Sequence, residues 1–236
     1  MREKPQARLL PHFLKKDTKE GTHMNNRLRD ALLLYAVTDR RDLGEKPLAQ
    51  AVEEALQGGA TMVQLREKNL DRTAFLAEAV TLKKVCARYG APLIINDDVE
   101  LALACDADGV HVGQDDMDMK AARAKLGPDK IIGVSAHSVE EALKAERDGA
   151  DYLGCGAVFA TGTKSNVTVL PLDELERITA AVSIPVVAIG GIGAGNMSSL
   201  AGRGADGAAI VSAIFSAKNI TEAARTLRAL AEKTFR

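Results

Sequence analysis

Several short stretches carry side chains able to act together. Residues 93–98 read LIINDD, an apolar run that stops on Asn96, Asp97 and Asp98, and residues 109–116 read GVHVGQDD, stopping on Gln114, Asp115 and Asp116. Two runs that each deliver a carboxylate pair invite a hard cation. A pair of carboxylate ligands completed by water and a substrate phosphate suits Mg²⁺, and clustered carboxylates without a counter-charge repel one another. Helix capping is the other reading: Asp97 or Asp98 is suited to open the following VELALACDA, and Asp116 the next helix. Residues 62–68 read MVQLREK, and period-two alternation puts Gln64, Arg66 and Lys68 on one face. Two cations and an amide there suit an anion, or else a solvated loop start. TGTK at 161–164 sets Thr161, Thr163 and Lys164 around Gly162, either an anion clamp or a flexible loop. Ser135, in GVSAHS, is a helix cap or a hydroxyl for a ligand. GGIG at 190–193 and the pair Val211-Ser212 offer backbone N–H groups and a hydroxyl. Glycine lets such N–H groups approach a phosphate closely, although it also serves tight turns. The sum is two anion sites, one with a metal-ready carboxylate pair and cations, the other with glycine backbone and hydroxyls. That asymmetry points to a magnesium-bound diphosphate beside a monophosphate.

Such residues act together only if the fold gathers them. Read for period, the chain repeats one unit, with short β-branched runs alternating with amphipathic stretches. Strands are expected at 32–39, 62–67, 93–97, 109–113, 131–136, 152–159, 185–192 and 208–214. They are continuous apolar runs, as parallel strands covered by helices require. Helical spacing appears between them, for example in PLAQAVEEALQGG, SVEEALKAERDGA and NMSSLAGRGA. Gly58, Gly90, Gly149 and Gly204 stand where left-handed caps are wanted. Eight βα units predict a single (β/α)8 TIM barrel over residues 27–236, whose active site lies at the carboxyl ends of the strands. An open doubly wound sheet is the alternative, but VTDRRDLG after the first strand lacks its GxGxxG signal. His111, inside the fourth strand, reads as a hydrogen-bonded core residue.

The bulk numbers fit that barrel. The chain has 236 residues, 46% hydrophobic and 27% charged, which is ordinary globular composition and one large domain. A net charge of −1 gives no case for a nucleic-acid partner. No apolar run spans a bilayer, and the polar start lacks the apolar core of a secretory signal. Cys86, Cys105 and Cys155, odd in number and far apart, suggest buried thiols in a reducing compartment. A cytoplasmic location follows as an expectation. Residues 1–26 read as a disordered extension, with Met24 a candidate start.

The ordered set QLREK, IINDD, HVGQDD, GVSAHS, TGTK, IGGIG and VSAI resembles the thiamine phosphate synthase family, from about residue 33 to the end. The loop after Lys164, SNVTVLP, departs from the pattern in lacking an acidic residue two positions on. The resemblance implies an enzyme joining two small molecules, hydroxymethylpyrimidine diphosphate and a thiazole phosphate, into thiamine phosphate and pyrophosphate. It further implies that Gln64, Arg66, Lys68, Asn96, Ser135 and Lys164 hold the pyrimidine diphosphate. Asp97 and Asp116 would bind Mg²⁺, and Thr161, Thr163, Gly191, Val211 and Ser212 the thiazole phosphate. Asp98 and Asp115 are left as supporting or capping residues. Two rivals stand beside it, a thiazole tautomerase on the same barrel and, from another class, a non-catalytic sensor of phosphorylated thiamine precursors. The tautomerase has no use for QLREK together with both Asp pairs.

Overall fold

Strand and helix alternate as the periodicity requires. The computed structural model describes residues 21–113, 119–162 and 168–236. The strands are β1 (Leu34–Val37), β2 (Met62–Leu65), β3 (Leu93–Asn96), β4 (Gly109–Val112), β5 (Ile131–Ala136), β6 (Tyr152–Gly156), β7 (Val186–Ile189) and β8 (Gly207–Ile210). All pair in parallel, in chain order, and β1 closes on β8 with Leu34 opposite Ala208, so the sheet is a closed barrel. Among the described residues the helices are α1 (Gly21–Leu32), α2 (Leu48–Gln57), α3 (Arg72–Tyr89), α4 (Val99–Ala104), α5 (Met119–Leu126), α6 (Val139–Arg147), α7 (Leu172–Ala181), α8 (Ser212–Phe215) and α9 (Ile220–Phe235), with one 3-10 turn at Met197–Leu200. None is long and apolar enough to cross a membrane.

Alternation divides the core in two. Outward strand residues such as Val63, Leu65, Ile95, Val110 and Leu153 pack under the helices. Inward residues form a separate interior cluster that includes Tyr35, Met62, Ile94, Ile131, Tyr152 and Val187. Leu28, Ala31 and Leu32 of α1 join this interior cluster, so α1 stoppers the amino-terminal end of the barrel. A side chain at Gly133 would put its Cβ 2.1 Å from Cζ of Tyr152, so only glycine lets that ring fill the barrel there.

The amino-terminal end carries a repeated polar bracket. The residue just before each even-numbered strand accepts the N–H of a residue at the start of the preceding odd strand. Thr61 Oγ1 takes Leu34 N at 2.9 Å, and Asp108 takes Leu93 N at 2.8 Å. Asp151 takes Ile132 N at 2.8 Å, and Asp206 takes Val186 N at 2.9 Å. Each of the three carboxylates is also paired with a helix cation, Lys83, Arg123 and Arg29 respectively.

Some local expectations need correction. Gly58 is right-handed, with φ −77°, and the positive φ falls one residue later, at Gly59. Most strands stop earlier than their apolar runs. The run at 152–159 leaves the sheet after Gly156, and the run at 208–214 turns into α8 at Ser212. The helical pattern NMSSLAGRGA yields only the single 3-10 turn, since its glycines at Gly202 and Gly204 adopt positive φ. The helix α1 starts at Gly21, inside the stretch expected as an extension.

Candidate active site

The inward positions that continue past the carboxyl ends of the strands line one cavity of about 740 Å³. Period two explains who reaches it. Gln64 and Arg66 are two apart on and just beyond β2, Asn96 closes β3, and Ser135 and His137 are two apart at the end of β5. From the other half of the rim come Thr161 after β6, Gly191 after β7, and Val211 and Ser212 after β8. Eight of the nine described residues expected to hold the two phosphorylated groups are therefore gathered in it, and Lys68 is the exception. Lys68 and Asp97 meet at the rim instead, with Nζ 2.7 Å from Oδ2. Asp116, Thr163 and Lys164, with Asp115, lie outside the described residues.

The floor of the cavity is a hydrogen-bonded run across the barrel. Gln64 Nε2 donates to the Tyr35 hydroxyl at 2.8 Å, and the hydroxyls of Tyr35 and Tyr152 are 2.9 Å apart. The Tyr152 hydroxyl is 2.9 Å from Nδ1 of His111, whose Nε2 is 3.1 Å from Ser135 Oγ. Burial pushes the phenols of Tyr35 and Tyr152 far up, so both keep their protons in ordinary buffers.

Asp97 and Asp98 are separated by backbone geometry. Asp97 has φ 64° and donates its N–H to the His111 carbonyl at 2.8 Å, which fixes the turn out of β3. A left-handed conformation is tolerated by Asp better than by most residues. Asp98 then caps α4, accepting Leu101 N at 2.7 Å, with Arg72 beside its other oxygen at 3.2 Å. The neighbouring loop is held by charge. Arg40 pairs with both Glu67 and Glu78. Burial works to raise the Glu67 carboxyl, but the N–H groups of Asn69 and Lys68 and the Arg40 guanidinium outweigh it and leave it below the usual range. Glu67 thereby fixes the strand end that aims Arg66.

On the opposite half, Asn196 staples the glycine loop, accepting Gly193 N and donating to the Gly191 carbonyl, both at 2.8 Å. Gly191 has φ 63°, and a Cβ on it would meet the Ala160 carbonyl at 2.4 Å, so the turn requires glycine. The exposed backbone there and the hydroxyl of Ser212 face the cavity, which Arg177 of α7 also lines.

Sequence reading missed Tyr35 and His137 as cavity residues and left His111 among the core; all three line the cavity, and Tyr152, also missed, lies fully buried beneath them. One signal was present: each stands an even number of positions from another inward residue of its own strand, as His137 does from Ser135. What brings Tyr35 and Tyr152 together is the closure of the barrel, which no local pattern encodes.

Comparison with known proteins agrees with this geometry. The profile of the family described as Thiamine monophosphate synthase matches residues 34–214. The thiamine-phosphate synthase of Clostridium acetobutylicum is 50% identical over 200 residues, 85% of this chain and 95% of that protein. That of Methanobrevibacter smithii is 51% identical over 188 residues, 80% and 90% of the two chains. Among solved structures, a thiamine phosphate pyrophosphorylase from Pyrococcus furiosus superposes with a TM-score of 0.82 at 42% identity, covering 89% of this chain and all of that one. With half of the aligned positions identical to curated relatives and the match running from the first strand through the eighth, this chain belongs to the thiamine monophosphate synthase family.

Proposed function

We propose that this chain condenses 4-amino-2-methyl-5-hydroxymethylpyrimidine diphosphate with a thiazole phosphate, releasing thiamine phosphate and pyrophosphate. The observation that carries the reading is the division of one mouth. Gln64, Arg66, Asn96 and Ser135 line the half built by β2 to β5, and Thr161, Gly191, Val211 and Ser212 the half built by β6 to β8. A diphosphate needs cations and polar side chains, which the first half offers. A monophosphate is served by oriented N–H groups and hydroxyls, which the second half offers. A cavity of about 740 Å³ is within the range that holds two small ligands together.

Arg66, Lys68 and Lys164 are assigned to the diphosphate, with Gln64, Asn96 and Ser135 around the pyrimidine. Thr161, Thr163, Gly191, Val211 and Ser212 are assigned to the thiazole phosphate. The residues at the rim fit Mg²⁺: Asp97 presents a hard carboxylate oxygen, paired with an exchangeable ammonium at 2.7 Å, and Asp116 would supply the second carboxylate. Bound there, the ion would neutralise charge on the departing diphosphate.

In the reaction, the bond between the pyrimidine methylene and the diphosphate oxygen breaks, and its electron pair leaves with pyrophosphate. The lone pair of the thiazole nitrogen then bonds to the methylene carbon. No proton is transferred, and no protein nucleophile takes part. Arg66 and Lys68 stabilise the charge that grows on the leaving oxygens, an effect realised chiefly in the transition state. The opposing half of the mouth holds the thiazole by its phosphate, which makes the capture effectively intramolecular. Three buried free thiols support a reducing, cytoplasmic setting.

The test is pyrophosphate release from the purified chain. Release is expected only with both substrates and a divalent cation, and should fall on chelation. Absence of release with both substrates and Mg²⁺ supplied would refute the assignment.

A further inference from the structure

The run beneath the cavity joins five strands through five side chains, and its hydrogen count restricts how it can be arranged. A tyrosine hydroxyl has one proton to give, an amide nitrogen only donates, and a neutral imidazole has one donor and one acceptor nitrogen. Gln64 Nε2 donates to Tyr35, so the Tyr35 oxygen is an acceptor at that contact. Its own proton then goes to Tyr152, 2.9 Å away. The proton of Tyr152 goes to His111 Nδ1, also at 2.9 Å. With Nδ1 accepting, the imidazole proton sits on Nε2 and is directed at Ser135 Oγ, 3.1 Å away. Rotating the Gln64 amide by half a turn would reverse every one of these bonds. The run therefore has two polarities, and its members share one of them, because each bond polarises the next.

We infer that Tyr35 and Tyr152 are positioning residues that transmit this polarity, so that Gln64 presents its carbonyl to the cavity while His111 is held with its proton on Nε2. The inference rests on the synthase reading and deepens it by saying what in the pocket selects the heterocycle. An accepting carbonyl at Gln64 suits an aromatic ring bearing an exocyclic amino group and disfavours one bearing a carbonyl there. Neither tyrosine needs to touch the ligand to exert this effect.

The setting is rigid enough to hold such an arrangement. The two phenol rings meet edge to face, with centroids 6.0 Å apart at 73°. The His111 ring lies 5.5 Å from that of Tyr152. Backbone at Gly133 backs the Tyr152 ring so closely that no larger residue fits. Both tyrosines are at most 1% exposed, so water does not offer the hydroxyls alternative partners on the core side.

The experiment is nitrogen NMR of the full chain with labelled histidine at about pH 8, above the usual histidine range. The His111 signals are assigned by their loss in His111→Asn. The wild-type protein is expected to show neutral His111 protonated on Nε2. Tyr152→Phe, which keeps the ring and removes the hydroxyl, is expected to give a mixture of tautomers. Tyr35→Phe should raise KM for the pyrimidine diphosphate about tenfold, the effect of one hydrogen bond. It should also erase the preference for that substrate over an analogue lacking the amino group, with KM for the thiazole phosphate within about twofold. His111 protonated on Nδ1 in the wild type would overturn the inference, whether or not the variants fold. So would Tyr35→Phe with unchanged selectivity and an unchanged tautomer. Nε2 protonation in a chain that releases no pyrophosphate would support the polarity while refuting the synthase reading, so the two failures are distinguishable.

Discussion

At the scale of single residues, one peptide bond separates Asp97, the proposed metal ligand, from Asp98, which caps α4. Asp97 holds a left-handed backbone at the rim, a conformation that costs a non-glycine residue about 1 kcal/mol. Its exposed ion pair with Lys68 returns little stability. Asp97→Gly should therefore raise Tm slightly while lowering kcat on the order of a hundredfold. Thermal melts beside pyrophosphate-release kinetics check this, and unchanged kcat at limiting Mg²⁺ would remove Asp97 from the metal site. Asp98→Ala should do the reverse, losing about 1 kcal/mol with the α4 cap and keeping turnover. The cysteines give a second prediction at this scale. Burial pushes the thiols of Cys86 and Cys155 up to about 12, and that of Cys105 upward. Since the thiolate is the nucleophile, a thiol reagent at neutral pH should label the native chain only at the rate of unfolding. Fast stoichiometric labelling before any loss of structure would contradict the burial.

At the scale of elements, the start of each strand was legible to within two residues and β5 at both ends, but most strands end before their apolar runs do. An apolar run announces a strand, but Ala157 to Phe159 after β6 and Ala213 to Phe215 after β8 are apolar for a different reason, as they pack beneath the rim and in α8. The site was legible where its residues are polar and end a run, as with Gln64, Arg66, Asn96 and Ser135. It was hidden where they are aromatic and lie within one. Tyr35 reads like any core residue, and only the register across five strands sets it against Gln64 and Tyr152. Loops between elements carry their own chemistry. Glu146, at the end of α6, accepts both the N–H and the hydroxyl of Ser183, at 2.8 and 2.6 Å, and the N–H of Ile184. Burial works to raise its carboxyl, but these donors outweigh it and leave the group below the usual glutamate range. A depressed native pKa stabilises fully above the unfolded value, about 4.3, and that stability is lost as pH falls through the lower native value. Stability should thus drop on acidification from about pH 5 downward, and Glu146→Gln should lose less over the same interval. Parallel curves of Tm against pH for the two proteins would show that Glu146 contributes nothing to the slope.

At the scale of the whole molecule, the two poles of the barrel have different duties. The mouth gathers exposed, charged and glycine-rich ends, whereas the opposite pole is closed by α1 and tied by the repeated brackets. Asp151→Ala leaves the Ile132 N–H and the Arg123 guanidinium without their acceptor, which should cost about 2 kcal/mol. KM for both substrates should change less than about twofold, because Asp151 and its partners Ile132 and Arg123 do not line the cavity. A larger shift in either KM would mean that the poles communicate. The brackets also have a genealogical consequence. Each lies inside a pair of strands, β1 with β2, β3 with β4, β5 with β6 and β7 with β8, so the wall is a module of two strands stamped four times. A protein assembled from such modules should come apart along their seams. Two fragments divided at Gly127, in the segment between α5 and β5, would each keep two modules whole. Co-expressed, they are expected to find one another and recover pyrophosphate release, whereas a division between β5 and β6 splits a module and should not.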